Sequence, residues 1–252
     1  MIVTRPPAQA AHWVRALAEQ GLNAQALPLI DIAPPPDADA VQQAWLQLPM
    51  QDFVMFVSAN AVEQFFALRP PGAAWPGALR AGSTGQGTSA ALRSCGVPPA
   101  LVAQPAPGEP SESEALWRQI ADQPWRGRRV LVVRGEGGRN WLAQQFEHAG
   151  AQVAFLVAYQ RRRPVLDDAQ ATLLARALAD PLHHVWLFSS SEAVDNLRAL
   201  NPGADWFFSQ ALATHPRIAA VARAAGFAQV SVVEPQVQAV AAGCAHLESR
   251  AP

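Results

Sequence analysis

The chain repeats itself at about half its length. Asp52–Val62 (DFVMFVSANAV) aligns with His184–Val194 (HVWLFSSSEAV) at an offset of 132 residues. Gly85–Gly96 (GQGTSAALRSCG) aligns with His215–Gly226 (HPRIAAVARAAG) at an offset of 130. A third echo joins Ile2–Arg5, Trp13 and Gly21 to Val132–Arg134, Trp141 and Gly150, with offsets close to 129. One such match is within reach of chance. Three in the same order, at nearly one spacing, describe a duplicated unit of about half the 252 residues.

Each unit reads as alternating strand and helix. Ile2–Thr4, Val54–Val57, Val130–Val133, Val153–Val157, Val185–Phe188, Leu212–Thr214 and Val230–Val233 are short apolar runs without polar alternation. Strands buried on both faces of a parallel sheet have this pattern. Between them, His12–Glu19, Ala61–Leu68, Trp141–His148 and Ala169–Leu178 place apolar residues at spacings of three and four. Gly21, Gly96, Gly150 and Gly226 stand where left-handed helix caps are expected. The fold class that follows is α/β, with parallel sheets and right-handed crossovers. Pro34–Pro36 marks a domain junction and Pro105–Pro110 a surface loop.

Half the residues are apolar and 15% are charged, which excludes a disordered chain. Runs such as Val153–Tyr159 are far shorter than the ~18 residues that span a bilayer. The opening Met1–Arg5 has no basic segment followed by an apolar one, so a signal peptide is not expected and the chain is placed in the cytoplasm. A formal net charge of −1 gives no general nucleic-acid or membrane-surface footprint. All 19 basic residues are Arg. Without Lys, neither Schiff-base catalysis nor a P-loop lysine is available. Cys95 and Cys244 form no CxxC, and His183-His184 lacks a third ligand at metal spacing. The latter pair reads as a polar loop before a buried strand. Trp13 and Trp141, at equivalent helix positions, read as core packing.

Ligands of open parallel sheets bind at the carboxyl ends of strands, near helix N-termini. The notable polar clusters fall there: Ser58–Asn60, Gly85–Thr88, Arg134–Arg139, Ser189–Ser191 and Thr214–Arg217. Any one hydroxyl among them is accounted for by helix capping. Their recurrence at matching strand ends describes two donor-rich surfaces.

In order and spacing, several segments together resemble the uroporphyrinogen-III synthase family. They are Thr4-Arg5-Pro6, Leu27–Ile30, Phe56–Val62, Gly85–Thr88, Arg134–Arg139, Val157–Arg161, Phe188–Val194 and Thr214–Ala219. The likeness covers nearly the whole chain. It implies two similar parallel-sheet α/β domains joined by a two-stranded linker, with the active site in the cleft between them. Residues 1–29 and 163–252 would form one domain and 35–155 the other, with linkers at 29–34 and 156–162.

The implied reaction closes linear hydroxymethylbilane to uroporphyrinogen III, with inversion of ring D and loss of water. The substrate would arrive by transient handover from the deaminase that makes it. A monomer without cofactor or metal is implied. Conformational control of a flexible substrate is then the main task, helped by an acid for hydroxide departure. Tyr159, the only Tyr, matches the family's linker tyrosine and is the catalytic candidate. Arg5, Arg134, Arg139 and Arg217 are candidate forks for the substrate's carboxylates. Ser58, Thr88, Ser189 and Thr214 are candidate neutral donors. In the second glycine turn this chain has His215 and Ile218 where the family usually has Gly and Thr, so Thr214 or His215 would substitute there. Arg161–Arg163 is a further candidate for the carboxylates, against the commoner reading of a charge run as a solvated face.

Two other classes suit the same residues. A non-enzymatic two-domain binder of a small polycarboxylate would use the same architecture. A nucleotide enzyme is invited by the two glycine turns, although neither completes a phosphate-binding motif.

Overall fold

A computed structural model describes residues 1–106, 108–109 and 113–248. In chain order the elements are β1 (Ile2–Val3), α1 (Pro7–Ala18), β2 (Gln25–Ala26), β3 (Asp31–Ala33), α2 (Ala38–Gln47), β4 (Phe53–Phe56), α3 (Ala59–Ala67), β5 (Arg80–Ser83), α4 (Gln86–Ser94), β6 (Val102–Ala103) and α5 (Ser113–Ile120). There follow β7 (Arg129–Gly135), α6 (Trp141–His148), β8 (Gln152–Arg162), α7 (Asp168–Ala179), β9 (Val185–Phe188), α8 (Ser191–Leu200), β10 (Gln210–Ala213), α9 (Pro216–Ala224), β11 (Gln229–Val232) and α10 (Val237–Glu248). The chain divides into two compact units. One holds Met1–Asp31 with Arg162–Pro252, the other Ile32–Arg161.

The discontinuous unit carries a five-stranded sheet in the order β11-β10-β9-β1-β2. Its neighbouring strands run parallel. The continuous unit carries six strands in the order β3-β8-β7-β4-β5-β6, parallel from β8 to β6. The internal repeat explains the likeness between them. By sequence offset β7 corresponds to β1, β4 to β9 and β5 to β10. The first sheet therefore reads β2-β1-β9-β10-β11 and the second β8-β7-β4-β5-β6, one strand order built twice from a permuted chain. This is the 2-1-3-4-5 order of doubly wound sheets.

Both faces of the continuous unit's sheet are buried, which is why its strands lack alternation. Phe53 and Met55 of β4 pack with Val130, Val132, Trp125 and Phe146 on one face. Their neighbours Val54 and Phe56 pack with Val62, Phe65, Trp45 and Val133 on the other. Successive side chains of a strand point to opposite faces, so each face receives its own core. The discontinuous unit buries Val3, Leu17, Val185, Leu187, Leu212 and Val240 together. Trp13 joins that core, as expected, while Trp141 sits at the edge of the Phe146 cluster.

The strands and helices expected from the apolar runs are all present, with ends moved by one to a few residues. Gly21, Gly96, Gly150 and Gly226 have φ of 80°, 92°, 86° and 109°, the left-handed caps expected of them. The periodicity did not announce β2, β3, β5 and β6. Each is short, and Arg80–Ser83 (RAGS) offers no apolar run at all. β8 continues without a break through Leu156–Arg162. Pro34–Pro36 follows β3, and the units divide between Asp31 and Ile32. Pro107, Pro110 and the chain's last four residues, which the expected surface loop and first domain include, lie outside the described residues.

Candidate functional site

In a sheet of this order, the chain leaves neighbouring strands toward opposite faces where the order reverses, opening a crevice at their carboxyl ends. In the continuous unit that place lies between β7 and β4. A groove of about 350 Å³ is found there, lined by the ends of both strands together with β5, β8 and the turn into α6.

β4 ends at Phe56, and Ser58 follows as the N-cap of α3, accepting the Ala61 N–H at 3.2 Å. The same Ser58 hydroxyl lies 3.1 Å from the Tyr159 hydroxyl. Tyr159 comes from β8, is only 4% exposed, and packs its ring into the core that contains Val54 and Val133. Its place depends on an irregularity between β7 and β8. Arg134 pairs with Val157, but Gly135 pairs with Tyr159, so Ala158 is an extra residue. A bulge of this kind redirects the side chain that follows it. Ala158 and Tyr159 consequently both reach the same core, which strict alternation would forbid.

Arg134 turns back on its own loop. Its Nε donates to the Gly137 carbonyl at 3.0 Å, Nη2 to the Gly138 carbonyl at 3.1 Å and Nη1 to Asn140 Oδ1 at 2.6 Å. The guanidinium also lies 5.3 Å from the centre of the Phe155 ring. Arg139, beyond this turn, is well exposed and 3.8 Å from Glu114, a surface pair that holds it weakly. Arg161 also lines it, so that among the described residues the lining contains three Arg and no carboxylate. Thr84, after β5, contributes a hydroxyl 3.5 Å from the Val57 carbonyl.

The discontinuous unit has its own reversal point, between β1 and β9. Thr4 Oγ1 donates to the Leu187 carbonyl at 2.7 Å and ties these strands. Arg5 follows, its guanidinium 4.5 Å from the centre of the Trp13 ring, with Nη1 3.5 Å from Gln9 Oε1. Its Nε is buried without a hydrogen-bond partner. Burial pulls its pKa down to about 10. Ser190 caps α8 by accepting the Glu192 N–H at 3.2 Å, and the Ser191 hydroxyl is buried without a partner. His215 caps α9, its Nδ1 accepting the Arg217 N–H at 3.0 Å.

The sequence candidates thus fall into distinct sets. Ser58, Arg134, Arg139 and Tyr159 line one groove. Arg5, Ser189, Thr214, His215 and Arg217 belong to the other unit, at or next to the carboxyl ends of β1, β9 and β10, with His215 and Arg217 exposed. Thr88 lies in neither group: it is 7% exposed on α4, and its repeat partner Ile218 is 6% exposed on α9. The Thr-to-Ile difference between the two glycine turns therefore concerns a buried position in both units. Sequence reasoning missed Thr84 and Phe155. Thr84 could have been found, since an offset of 130 carries it onto Thr214. Among the described residues, no three of His, Cys, Asp and Glu gather to hold a metal ion, and no helix is long and apolar enough to cross a membrane.

Comparison with known proteins adds a family match. The family described as Uroporphyrinogen-III synthase HemD matches residues 11–242. The uroporphyrinogen-III synthase of Salmonella typhimurium is 27% identical over 241 residues, covering 93% of this chain and 94% of that protein. That of Synechococcus elongatus is 29% identical over 221 residues, covering 82% and 77%. Among solved structures, a mutant uroporphyrinogen III synthase from Thermus thermophilus superposes with a TM-score of 0.59 at 15% identity, covering 99% of this chain and 98% of that one. The uroporphyrinogen-III synthetase of Helicobacter pylori gives 0.58 at 14% identity, covering 89% and 93%. At such identities the structures speak for the fold alone.

Proposed function

The chain belongs to the uroporphyrinogen-III synthase family, and from that membership we propose that it closes linear hydroxymethylbilane to uroporphyrinogen III, with inversion of ring D and loss of water. The observation that carries the reading is the groove at the β7–β4 reversal, whose lining among the described residues has three Arg, no carboxylate and one tyrosine hydroxyl. A flexible tetrapyrrole with acetate and propionate arms is an apolar body with anionic edges. Arginine forks and exposed helix N-termini suit its edges, and the exposed Phe155 and Val57 suit its rings.

The chemistry asks little of side chains. A pyrrole nitrogen pushes its electron pair toward the hydroxymethyl carbon while the C–O bond breaks. The Tyr159 hydroxyl donates its proton to the departing oxygen, which leaves as water. The resulting azafulvene is attacked by the substituted carbon of ring D, giving a spiro intermediate. The bond from that carbon to its original bridge then breaks, leaving a second azafulvene that bonds to the free α-carbon of ring D. Loss of the proton from that α-carbon restores the pyrrole, and the tyrosinate recovers a proton. Closure without this control gives the uninverted isomer, so the protein's main contribution is to hold the substrate in the productive conformation. Arg139 and Arg161 are assigned to carboxylate arms at the groove. Arg5, Ser189, Thr214, His215 and Arg217, at the strand ends of the discontinuous unit, are also assigned to carboxylate binding.

The test is to supply hydroxymethylbilane made in situ by a deaminase, oxidise the products and separate the porphyrin isomers. Predominantly type III product is expected. Type I alone, as in a protein-free control, would overturn the proposal and leave a polycarboxylate binder as the reading to pursue by ligand protection against heat.

A further inference from the structure

We infer that Ser58 and Gly135 are positioning residues that together aim the Tyr159 hydroxyl, an inference that rests on the acid role proposed for Tyr159. The first half of the argument concerns hydrogen-bond direction. Ser58 Oγ already accepts the Ala61 N–H at the first turn of α3. Either hydroxyl could donate across the 3.1 Å between Ser58 Oγ and the Tyr159 oxygen, and the donor is assigned to Ser58, whose position at the positive end of α3 favours giving its proton. A phenol oxygen that accepts this bond has its single proton left to point elsewhere, and the groove is the space beside it. Polarisation of Ser58 by the α3 N-terminus strengthens the donation.

The second half is steric. Gly135 stands opposite Tyr159 across the bulge, and its φ is not in the left-handed region, so its backbone would accept any residue. What excludes a side chain is the tyrosine itself. A Cβ at Gly135 would lie 2.6 Å from Tyr159 Cζ, 2.8 Å from Cε2 and 3.0 Å from the hydroxyl oxygen. The ring rests on the bare backbone of β7 at the end that bears the hydroxyl. The extra residue Ala158 brings the ring there, Gly135 makes room for it, and Ser58 fixes the direction of its proton.

Because the chain has one tyrosine, ¹³C labelling at tyrosine Cζ yields one NMR resonance that reports this hydroxyl. The full-length protein is compared with Ser58→Gly, Ser58→Thr and Gly135→Ala. Glycine is itself an acceptable N-cap, so Ser58→Gly removes the hydroxyl while α3 keeps its start. Both Ser58→Gly and Gly135→Ala should move the resonance and lower kcat by about tenfold, with KM nearly constant, the signature of a misaimed catalytic group. Ser58→Thr should restore both readouts. An unmoved resonance in Ser58→Gly, or equal loss in Ser58→Gly and Ser58→Thr, would overturn the inference. If Gly135→Ala does not fold, the Ser58 pair decides alone. A moved resonance with kcat unchanged, and Tyr159→Phe equally active, would support the seat while removing the acid role, so the two failures are distinguishable.

Discussion

Tyr159 and Arg5 are held in opposite ways. Tyr159 has a ring in the core and a bonded hydroxyl at a groove wall, an arrangement that satisfies an amphipathic residue and also serves a proton donor. Tyr159→Phe should keep the fold, losing about 1 kcal/mol for the missing hydrogen bond, and lower kcat by about a hundredfold. Steady-state kinetics beside a thermal melt checks this, and undiminished turnover would remove the hydroxyl from the chemistry. Arg5 is instead a partly buried charge whose Nε is buried and unbonded. Replacing a poorly compensated, partly buried charge by an apolar side chain of similar length is stabilising, so Arg5→Met should raise the unfolding free energy by about 1 kcal/mol. The pH dependence has a definite sign. The folded-state pKa is about 10, lowered from the ordinary guanidinium value of the unfolded chain, so above about pH 10 the unfolded chain binds more protons and wild-type stability rises with pH there. The advantage of Arg5→Met should be constant from pH 6 to 9 and shrink above about pH 10 in urea titrations. The same variant should lose part of the thermal protection that a polycarboxylate porphyrinogen gives the wild type. Equal protection of both would free Arg5 from any substrate role.

The turn from β7 into α6 shows how an element can be organised by one side chain. Arg134 closes on Gly137, Gly138 and Asn140, and Gly138 has φ of 111°. The strand ending and the glycine turn were readable from RGEGGR, because apolar run, glycines and helix start follow in order. The direction of Arg134 was not readable. A strand-end Arg is equally suited to an external carboxylate and to its own loop's carbonyls, and only the path of the turn decides between them. Likewise β5 was hidden because parallel pairing with β4 on one side and β6 on the other, not apolar content, makes Arg80–Ser83 a strand. Arg134→Ala should therefore loosen residues 136–140, raise their amide exchange and raise KM about tenfold, or ~1.4 kcal/mol. Arg134→Lys should not restore the turn, since one ammonium cannot reproduce a planar fork serving three acceptors. An Arg134→Ala protein with normal exchange in this turn but raised KM would assign Arg134 to the substrate instead.

At the scale of the whole molecule, a repeat read from three short alignments is realised as one strand order occurring twice. The repeat was legible because strand ends and helix starts carry the residues least free to change. The discontinuity of one unit was not legible from periodicity, since nothing local marks the strand that returns to an earlier sheet. It has a consequence for folding. Both core clusters of the continuous unit are built from residues between Ile32 and Val153 or Tyr159, and none of their members comes from the other unit. A fragment of Asp31–Arg162, which keeps β3 and β8 whole, should then fold alone. At about 130 residues it should unfold cooperatively with a heat-capacity change of ~1.6–2 kcal/mol/K, and its single tyrosine resonance should match that of the full chain. The other unit has no such independence. Its strands β1 and β2 precede the continuous unit in sequence and β9 to β11 follow it, so removing residues 1–30 strips two of the five strands from the β11-β10-β9-β1-β2 sheet and uncovers the central strand β9. That truncation should leave one cooperative transition where the intact chain has the stability of both units. A fragment of Asp31–Arg162 that binds hydrophobic dye and lacks near-ultraviolet circular dichroism would show that the two halves of the repeat depend on each other to fold.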